Sequence, residues 1–361
     1  MKKYLPTLYI ILITCMFAEN RPKIALVLSG GGSKGMAQVP TLQVIDSLNI
    51  PIDYVIGTSI GSITGALYSM GYSSDEILSE GLKTNWDIIY SNYKKRENLY
   101  FFQKNDYNKY PIIFSLKGIS PQAPMAITNG HASYMDLNSK FAVYELINDF
   151  NNFKIPFRCN AMDLLTGEEI IFDNGSISKA LRASSSIPSV FNPVDNDGSL
   201  LIDGGVCNNF PTDIAKKIGA DIVIGVNVSN SLRESSDINT IFDILRQTIS
   251  LNGLQKKIKN KDYVDILIEP QDLKSGSSYD NESLKNSYKS GQKAVYKEID
   301  KFLELQKKLN IENKSIILPS IKENDFIINS ILIKSNDNIN LNEIFPDYLY
   351  PFTISKESFL D

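Results

Sequence analysis

One serine flanked by glycines has the residue types and spacing that a catalytic nucleophile requires. Residues 57–61 read Gly-Thr-Ser-Ile-Gly; the apolar residues 53–56 before them predict a short strand, and residues 62–70 predict a helix. A strand, a Gly-x-Ser-x-Gly turn and a helix in this order form a nucleophile elbow, which presents the serine hydroxyl at the end of the strand. An ordinary glycine–serine turn would have the same composition, so Ser59 is a candidate that needs chemical partners.

A serine nucleophile needs a general base, and histidine, which usually serves as that base, does not fit this sequence. Serine hydrolases generally use a histidine, but His131 is the only histidine of the chain. It precedes the later acidic candidates, whereas the α/β-hydrolase order places the acid after the serine and the histidine last. We therefore expect His131 in a loop or at the surface. A carboxylate acting directly on Ser59 is the alternative, and Asp203, between an apolar strand and two glycines, is suitable, although Asp-Gly turns are common.

A glycine-rich loop supplies a third chemical feature. Residues 30–35 read Gly-Gly-Gly-Ser-Lys-Gly and connect a predicted strand at 23–29 to a predicted helix at 36–48. Backbone N–H groups at such a helix start can bind the oxyanion that develops during ester hydrolysis. The same order also fits a dinucleotide-binding loop, with Asp53 as its acidic residue. A dinucleotide site does not need a serine elbow one strand later, which favours the hydrolase interpretation.

Alternating strands and helices must position these features. Strands are predicted at residues 23–29, 53–56, 157–163, 169–172, 200–202, 220–228 and 264–269, with 112–116 and 125–128 as further candidates. Helices are predicted at residues 36–48, 62–70, 75–82, 133–150, 178–184, 211–217, 238–259 and 282–309. Residues 196–198, Asn-Asp-Gly, predict a hairpin turn. This alternation indicates an α/β sheet with helices on both faces.

Aromatic residues are concentrated after the helix predicted at 75–82. They are Trp86, Tyr90, Tyr93, Tyr100, Phe101, Phe102, Tyr107 and Tyr110. Ordinary packing of a subsidiary layer explains them most simply. An apolar wall or lid over an apolar substrate is the alternative interpretation.

Composition and charge narrow the classes of partner. The chain has 361 residues, 43% hydrophobic and 22% charged, with a net charge of −4. The absence of a long basic block argues against nucleic acid as a partner. Of the three cysteines, Cys15, Cys159 and Cys207, none has the spacing of a zinc site. Free thiols are favoured over a disulfide between the last two.

The first residues predict export. Two lysines are followed by an apolar run up to Ala18 that is short for a membrane span, which is typical of a secretory signal. We expect residues 1–18 to be removed, together with Cys15, and the protein to be periplasmic, outer-membrane-associated or secreted. A permanent amino-terminal anchor is the alternative.

Together, three motifs in this order resemble the patatin-like phospholipase family, in its exported bacterial form, over about residues 22–310. They comprise the loop Gly30, Gly31, Gly32, Ser33, Lys34 and Gly35, the elbow Gly57, Ser59 and Gly61, and the acid motif Asp203, Gly204 and Gly205. Weaker matches lie at 161–163 with 166–167, at 186–188 with 191–193, and at 208–211. Lys34 is a departure, because many members have arginine there, and lysine lacks the planar guanidinium.

The resemblance implies a fold and an activity. The fold would be a three-layer α/β/α sandwich with a mostly parallel central sheet. Ser59 and Asp203 would form the dyad of a lipid acyl hydrolase that works through an acyl-enzyme, with the N–H groups of Gly31, Gly32 and Ser33 as the oxyanion hole. A lipid or phospholipid at a membrane surface would be the substrate, and no metal, nucleotide cofactor or nucleic acid would take part. A catalytically silent binding module is the alternative, but all three motifs are intact.

The last segment, residues 315–361, differs in character from the rest. Residues 325–336 predict a strand and a turn, and residues 339–344 continue it. They resemble the opening strand and first helix of a polypeptide-transport-associated (POTRA) domain. An irregular carboxy-terminal extension is the alternative.

Overall fold

The computed structural model describes residues 21–91, 100–101, 115–117, 119–122, 124–229, 232, 234–271, 273, 279–311, 325–328 and 352–355. The chain divides into two compact units, Met1–Ile316 and Ile317–Asp361. The predicted signal at residues 1–18 lies outside the described residues, as do Tyr93, Phe102, Tyr107 and Tyr110.

A central sheet of eight strands organises the first unit, and a small hairpin accompanies it. The strands are β1 (Ile24–Leu28), β2 (Tyr54–Thr58), β3 (Ser115–Lys117), β4 (Ser120–Gln122), β5 (Phe157–Asp163), β6 (Glu169–Phe172), β7 (Val194–Asn196), β8 (Ser199–Asp203), β9 (Ile222–Val226) and β10 (Ile266–Ile268). The central order is β10-β9-β1-β2-β5-β8-β7, with β6 also paired to β5. The first five of these strands run parallel, and β6, β7 and β8 add antiparallel pairs.

The helices connect these strands and cover the sheet. They are α1 (Val39–Ser47), α2 (Ile60–Ser69), α3 (Ser74–Lys83), α4 (Trp86–Ser91), α5 (His131–Phe141), α6 (Ile177–Ser184), α7 (Thr212–Lys217), α8 (Ile241–Asn252), α9 (Leu254–Lys261), α10 (Asn281–Lys297) and α11 (Ile299–Lys308). Among the residues described, none of these helices is long and apolar enough to cross a membrane.

Both faces of the sheet are buried, which explains the continuous apolar sequences of its central strands. All five residues of β1 and of β9 are buried. On one face, Val27 packs in a cluster with Ile214 of α7. On the other face, α2 packs so closely that a Cβ on its Gly65 would lie 2.9 Å from Val55. Parallel strands covered in this way have no polar face, and the predicted three-layer α/β/α architecture is confirmed.

Several predicted boundaries are wrong, mostly where a helix is interrupted. The helix predicted at 238–259 is two helices that meet at Gly253, and the one at 282–309 is divided at Glu298. The helix predicted at 133–150 ends at Phe141 and is followed by 3-10 turns; Asn148 and Asp149, which favour turns, lie between the two 3-10 segments. Residues 36–48 begin as a 3-10 helix, and α1 starts only at Val39.

Two of the strand predictions need correction. Residues 125–128 form no strand; Thr128 makes an isolated bridge to Phe191. The strand predicted at 112–116 is described only from Ser115, where β3 pairs with the unpredicted β4. The hairpin at residues 196–198 is confirmed: Asp197 and Gly198 both have positive φ, 53° and 93°, as the tight hairpin turn between β7 and β8 requires.

The described part of the second unit is an antiparallel pair of strands. Strand β11 (Asp325–Ile328) pairs antiparallel with β12 (Phe352–Ser355). The predicted strand at 325 is therefore present, whereas residues 339–344 lie outside the described residues. The likeness to a POTRA domain stays a prediction.

Candidate active site

Ser59 occupies a strained turn between β2 and α2. Its φ of 53° and ψ of −126° lie in a region that non-glycine residues rarely adopt. The turn is possible because the flanking glycines permit very close packing. A Cβ on Gly57 would lie 2.3 Å from the carbonyl oxygen of Gly61, and a Cβ on Gly61 would lie 2.4 Å from that of Leu28. The predicted sharp turn between strand and helix is therefore present.

The Ser59 hydroxyl points at Asp203, which lies 144 residues later in the chain. Ser59 Oγ donates a hydrogen bond of 2.6 Å to Asp203 Oδ2, and the N–H of Gly205 donates one of 2.7 Å to Asp203 Oδ1. Burial raises the pKa of Asp203 to about 6, and the hydrogen bonds from Ser59 and Gly205 oppose that rise. Asp203 is thus mostly a carboxylate at neutral pH, with one oxygen held by the backbone and the other facing the serine.

His131 lies elsewhere. It is the exposed first residue of α5, and its backbone N–H bonds to the side chain of Asn129 at 3.0 Å. The hydrogen-bond partner of the Ser59 hydroxyl is the carboxylate of Asp203. The expectation that His131 takes no part in a triad agrees with this placement.

The glycine-rich loop runs directly over the elbow. A Cβ on Gly30 would lie 3.0 Å from the Cβ of Ser59, and a Cβ on Gly35 would lie 2.4 Å from Ile60. The N–H of Gly30 is used, since it donates to the carbonyl of Asn209 at 3.2 Å. Gly32 has a φ of +61°, which favours glycine.

Three backbone donors of this loop have no acceptor in the described part of the chain. They are the N–H groups of Gly31, Gly32 and Ser33, at the start of the 3-10 helix Gly32–Gln38. A hydrogen bond of 2.8 Å from Gln38 Nε2 to the carbonyl of Ser29 connects the two ends of the loop. Unpaired N–H groups at a helix start form a ready anion site.

Lys34 does not face the solvent. Only 5% of its surface is exposed, so it is poorly placed to attract a substrate head group from water. Its burial suits a residue that orients the loop from within.

The end of α6 holds both members of the pair, a connection that sequence motifs did not indicate. The Ser59 N–H donates a hydrogen bond of 3.0 Å to Ser184 Oγ. The Asp203 N–H donates one of 2.9 Å to the carbonyl of Ser186. Ser184 and Ser186 are fully buried. Two buried serines at the end of an otherwise amphipathic helix were the available signal.

A buried amide network lies behind the pair and was also missed. Thr58 Oγ1 donates a hydrogen bond of 2.7 Å to Asn160 Oδ1. Asn160 Nδ2 donates one of 2.9 Å to Glu169 Oε1. Asn208 Nδ2 bonds to the same Glu169 oxygen at 2.8 Å. Asn160 also packs against Gly204, where a Cβ would lie 2.4 Å from its carbonyl oxygen. Asn160, placed between Cys159 and Ala161 in strand β5, was the available signal.

A largely apolar pocket begins at Ser59, with an empty volume of about 890 Å³ that includes its open mouth. Trp86 and Tyr90 line it together with Phe191. Tyr279 stacks on Trp86 and on Tyr90, with ring centroids 4.6 and 4.5 Å apart. The interpretation of an aromatic wall therefore holds for Trp86 and Tyr90, whereas Tyr100 and Phe101 are exposed.

The residues that a dinucleotide or a metal would need are not gathered at this pocket. Asp53 precedes β2 and pairs with Arg21 at 2.7 Å, at the opposite end of the parallel strands from the loop that begins at Gly30. It therefore cannot serve that loop as a ribose ligand. The described residues contain no cluster of histidine, cysteine, aspartate or glutamate that could hold a metal ion, and Cys159 and Cys207 are free thiols.

Several known proteins are similar in sequence or fold to this chain. Lysophospholipase NTE1 of Meyerozyma guilliermondii is 28% identical over 207 residues, which are 57% of this chain but 13% of that protein. Patatin-like phospholipase domain-containing protein 7 of Mus musculus is 29% identical over 234 residues, 62% of this chain and 14% of that protein. The chain thus spans a small part of the length of these relatives. The crystal structure of VipD from Legionella pneumophila covers 78% of this chain and 67% of its own, with 14% identity and a TM-score of 0.41.

The family model described as patatin-like phospholipase matches residues 26–216. That range is just over half of the 361 residues, and it contains the loop, the elbow and Asp203. The chain belongs to the patatin-like phospholipase family.

Proposed function

We propose that this protein is a lipid acyl hydrolase in which Ser59 and Asp203 act as a catalytic dyad. The observation that carries the proposal is the 2.6 Å hydrogen bond between the serine of a strained elbow and a buried carboxylate. A nucleophile and a base within hydrogen-bond reach, with the base oriented by a third group, are the signature of covalent catalysis. Here the N–H of Gly205 is the orienting group.

The reaction proceeds in two halves. Ser59 Oγ attacks the ester carbonyl carbon while Asp203 accepts its proton, and the N–H groups of Gly31, Gly32 and Ser33 hold the oxyanion. The tetrahedral intermediate collapses, the alcohol leaves with the proton from Asp203, and the acyl group stays on Ser59. Water then attacks the acyl-enzyme with Asp203 again as the base, which releases the fatty acid and restores the serine.

The substrate class follows from the family and the pocket. The relatives are named as a lysophospholipase and a patatin-like phospholipase, and an apolar pocket at the nucleophile suits an acyl chain. We therefore propose a lipid or phospholipid ester at a membrane surface as the substrate. The basic and apolar residues 1–18 support export of the protein.

Replacement of Ser59 tests the function. Ser59→Ala is expected to lower hydrolysis of a soluble butyrate ester, a lysophospholipid and a phospholipid by about 10³-fold or more, as loss of a nucleophile does. It should also abolish labelling by a fluorophosphonate. Ser47→Ala is the matched control, because the Ser47 hydroxyl bonds only to its own helix at Val44. His131→Ala should also keep wild-type rates; loss of activity in that variant would restore a triad, and a fully active Ser59→Ala would refute the proposal.

A further inference from the structure

We propose that the ion pair of Lys140 with Asp136 bounds the far end of the pocket and sets the acyl length beyond which further methylenes add no apolar contact. The inference rests on the proposed acyl hydrolase function and adds a residue that determines specificity.

Helices α2 and α5 begin at the same end of the pocket. Helix α2 starts at the elbow itself. The end of α6 reaches the same place, because Ser184 accepts the Ser59 N–H. Two residues earlier on α6, Arg182 Nε donates 3.3 Å to the carbonyl of Gly130, the residue before the first residue of α5.

The two helices also end together. Tyr144, just after α5, donates a hydrogen bond of 3.4 Å to the carbonyl of Met70, just after α2. Near the start of α6, the Ser178 N–H donates 2.8 Å to the carboxylate of Glu145. Helices α2 and α5 therefore run side by side away from the nucleophile, and later residues on each lie deeper in the pocket.

One face of α2 and one face of α5 line the pocket, and the two faces differ in polarity at the ends of the helices. Ile60, Ile63, Thr64 and Leu67 line it from α2, so this face carries no charge, and Glu80 of α3 is a further charged residue in the lining. The lining residues of α5 are Ser133, Asp136, Leu137 and Lys140. Their spacing of three, four and seven residues puts them on one helical face.

Lys140 carries a charge at the deep end. Its Nζ lies 2.5 Å from Asp136 Oδ1 and 3.2 Å from Thr84 Oγ1. The Lys140 side chain is 15% exposed and that of Asp136 33%. Hydrocarbon that reaches this end would displace the remaining water from two ionic groups without offering hydrogen bonds, which is unfavourable.

The distance sets the expected chain length. Seven residues of helix, from Ile60 to Leu67 or from Ser133 to Lys140, rise about 10 Å. Since carbon–carbon bonds are about 1.5 Å long and each advances a zigzag chain by less, about eight carbons cover this distance. Later methylenes meet the ion pair or water, so they add no apolar contact.

A competition assay measures this limit. The substrates are esters of one alcohol with acids of 4, 8, 12 and 16 carbons, about evenly spaced around the expected limit. They are hydrolysed together in one detergent micelle, and the released acids are quantified by mass spectrometry. For the wild type, kcat/KM should rise up to about fourfold for each added methylene as far as about eight carbons. In longer chains, further methylenes should leave kcat/KM unchanged. The double variant Lys140→Met/Asp136→Asn should raise the ratio of the 12-carbon to the 8-carbon rate about tenfold.

The matched control removes an equivalent ion pair on the surface. Lys301→Met/Glu298→Gln eliminates a helical pair of 2.7 Å and should leave the ratio unchanged. Because the ratio is internal to each sample, a smaller folded fraction does not alter it. If the wild type gains equally up to 16 carbons, or the double variant keeps the wild-type ratio, the inference is wrong while the hydrolase stands. If the wild type releases no acid from any ester, the proposed function itself fails.

Discussion

Asp203 shows how the surroundings of a single residue prepare it as a base. Its carboxylate is 6% exposed, and burial raises its pKa to about 6 from an ordinary value of 3.8. A base works best when its pKa lies just below the working pH, since it is then ionised and still accepts a proton readily. The hydrogen bonds from Ser59 and Gly205 keep the rise moderate, because they stabilise the charged form.

The activity should follow the ionisation of this carboxylate. The rate constant kcat/KM for an uncharged ester is expected to rise with pH through a midpoint near 6 and to reach a plateau by about pH 7.5. Rates between pH 4.5 and 9 check this. A flat profile, or a midpoint near 3.8, would contradict the role of Asp203.

The same burial should weaken the fold at neutral pH. The folded-state pKa of Asp203 exceeds the unfolded value, so its contribution to stability is largest below about pH 4 and declines as the pH rises through about 6. The gap between 3.8 and about 6 corresponds to about 3 kcal/mol at most. Asp203→Asn should therefore be inactive, yet gain more unfolding free energy over wild type at pH 8 than at pH 4. Denaturant unfolding at both pH values tests this, with Asp197→Asn in the exposed hairpin turn as the control.

Sequence motifs identified the residues of the site that are local in the chain and missed those that are not. Ser59 and the loop at 30–35 belong to short patterns with a mechanical reason for each glycine. Ser184 acts on Ser59 from 125 residues away, and Asn160 acts on Thr58 from 102 residues away. A serine or asparagine becomes such a partner only when the fold brings it near, and no local pattern encodes that contact.

At the scale of elements, the apolar strands were predictable and the ends of the helices were not. Strands β1 and β9 lie within the predicted runs 23–29 and 220–228, since a parallel strand buried on both faces must be apolar along its whole length. The division of one predicted helix at Gly253 was missed because the amphipathic pattern continues across it. Tertiary contacts decide where such a helix changes direction, and local propensity is a weak guide there.

The elbow is an element that tolerates almost no added volume. Gly61→Ala should lower the free energy of unfolding by about 3 kcal/mol, as overpacking does, because the new methyl would meet the Leu28 carbonyl at 2.4 Å. Gly253→Ala is the control, since its nearest neighbour would be 3.5 Å away. Denaturant unfolding of both variants measures the difference. Equal stabilities would show that the elbow can relax.

An added side chain in the glycine-rich loop should be equally harmful, and its effect should appear in the rate of hydrolysis. Gly32→Val forces a β-branched residue into a φ of +61° and should displace the free N–H groups. Turnover is expected to fall about 10²–10³-fold, as when one oxyanion donor is lost. Gly175→Val shares the backbone strain, with a φ of +93° and open space around it, and should keep wild-type turnover. A folded Gly32→Val enzyme with the wild-type rate would show that this loop is not the oxyanion hole.

At the scale of the molecule, the catalytic groups, the pocket and the central sheet all lie within the unit Met1–Ile316. A chain ended at Ile316 should therefore fold and hydrolyse a soluble ester within about twofold of the full-length rate, as separate units usually allow. A chain ended at Lys297 is the control. It lacks α11, and with it the fully buried Phe302 and the hydrogen bond of 3.1 Å from Gln306 Nε2 to the carbonyl of Leu48, so it should unfold at a clearly lower temperature. Thermal unfolding and kcat/KM of both chains make the comparison. If the chain ended at Ile316 loses activity about tenfold or more, residues 317–361 act on the site and the two units do not function independently.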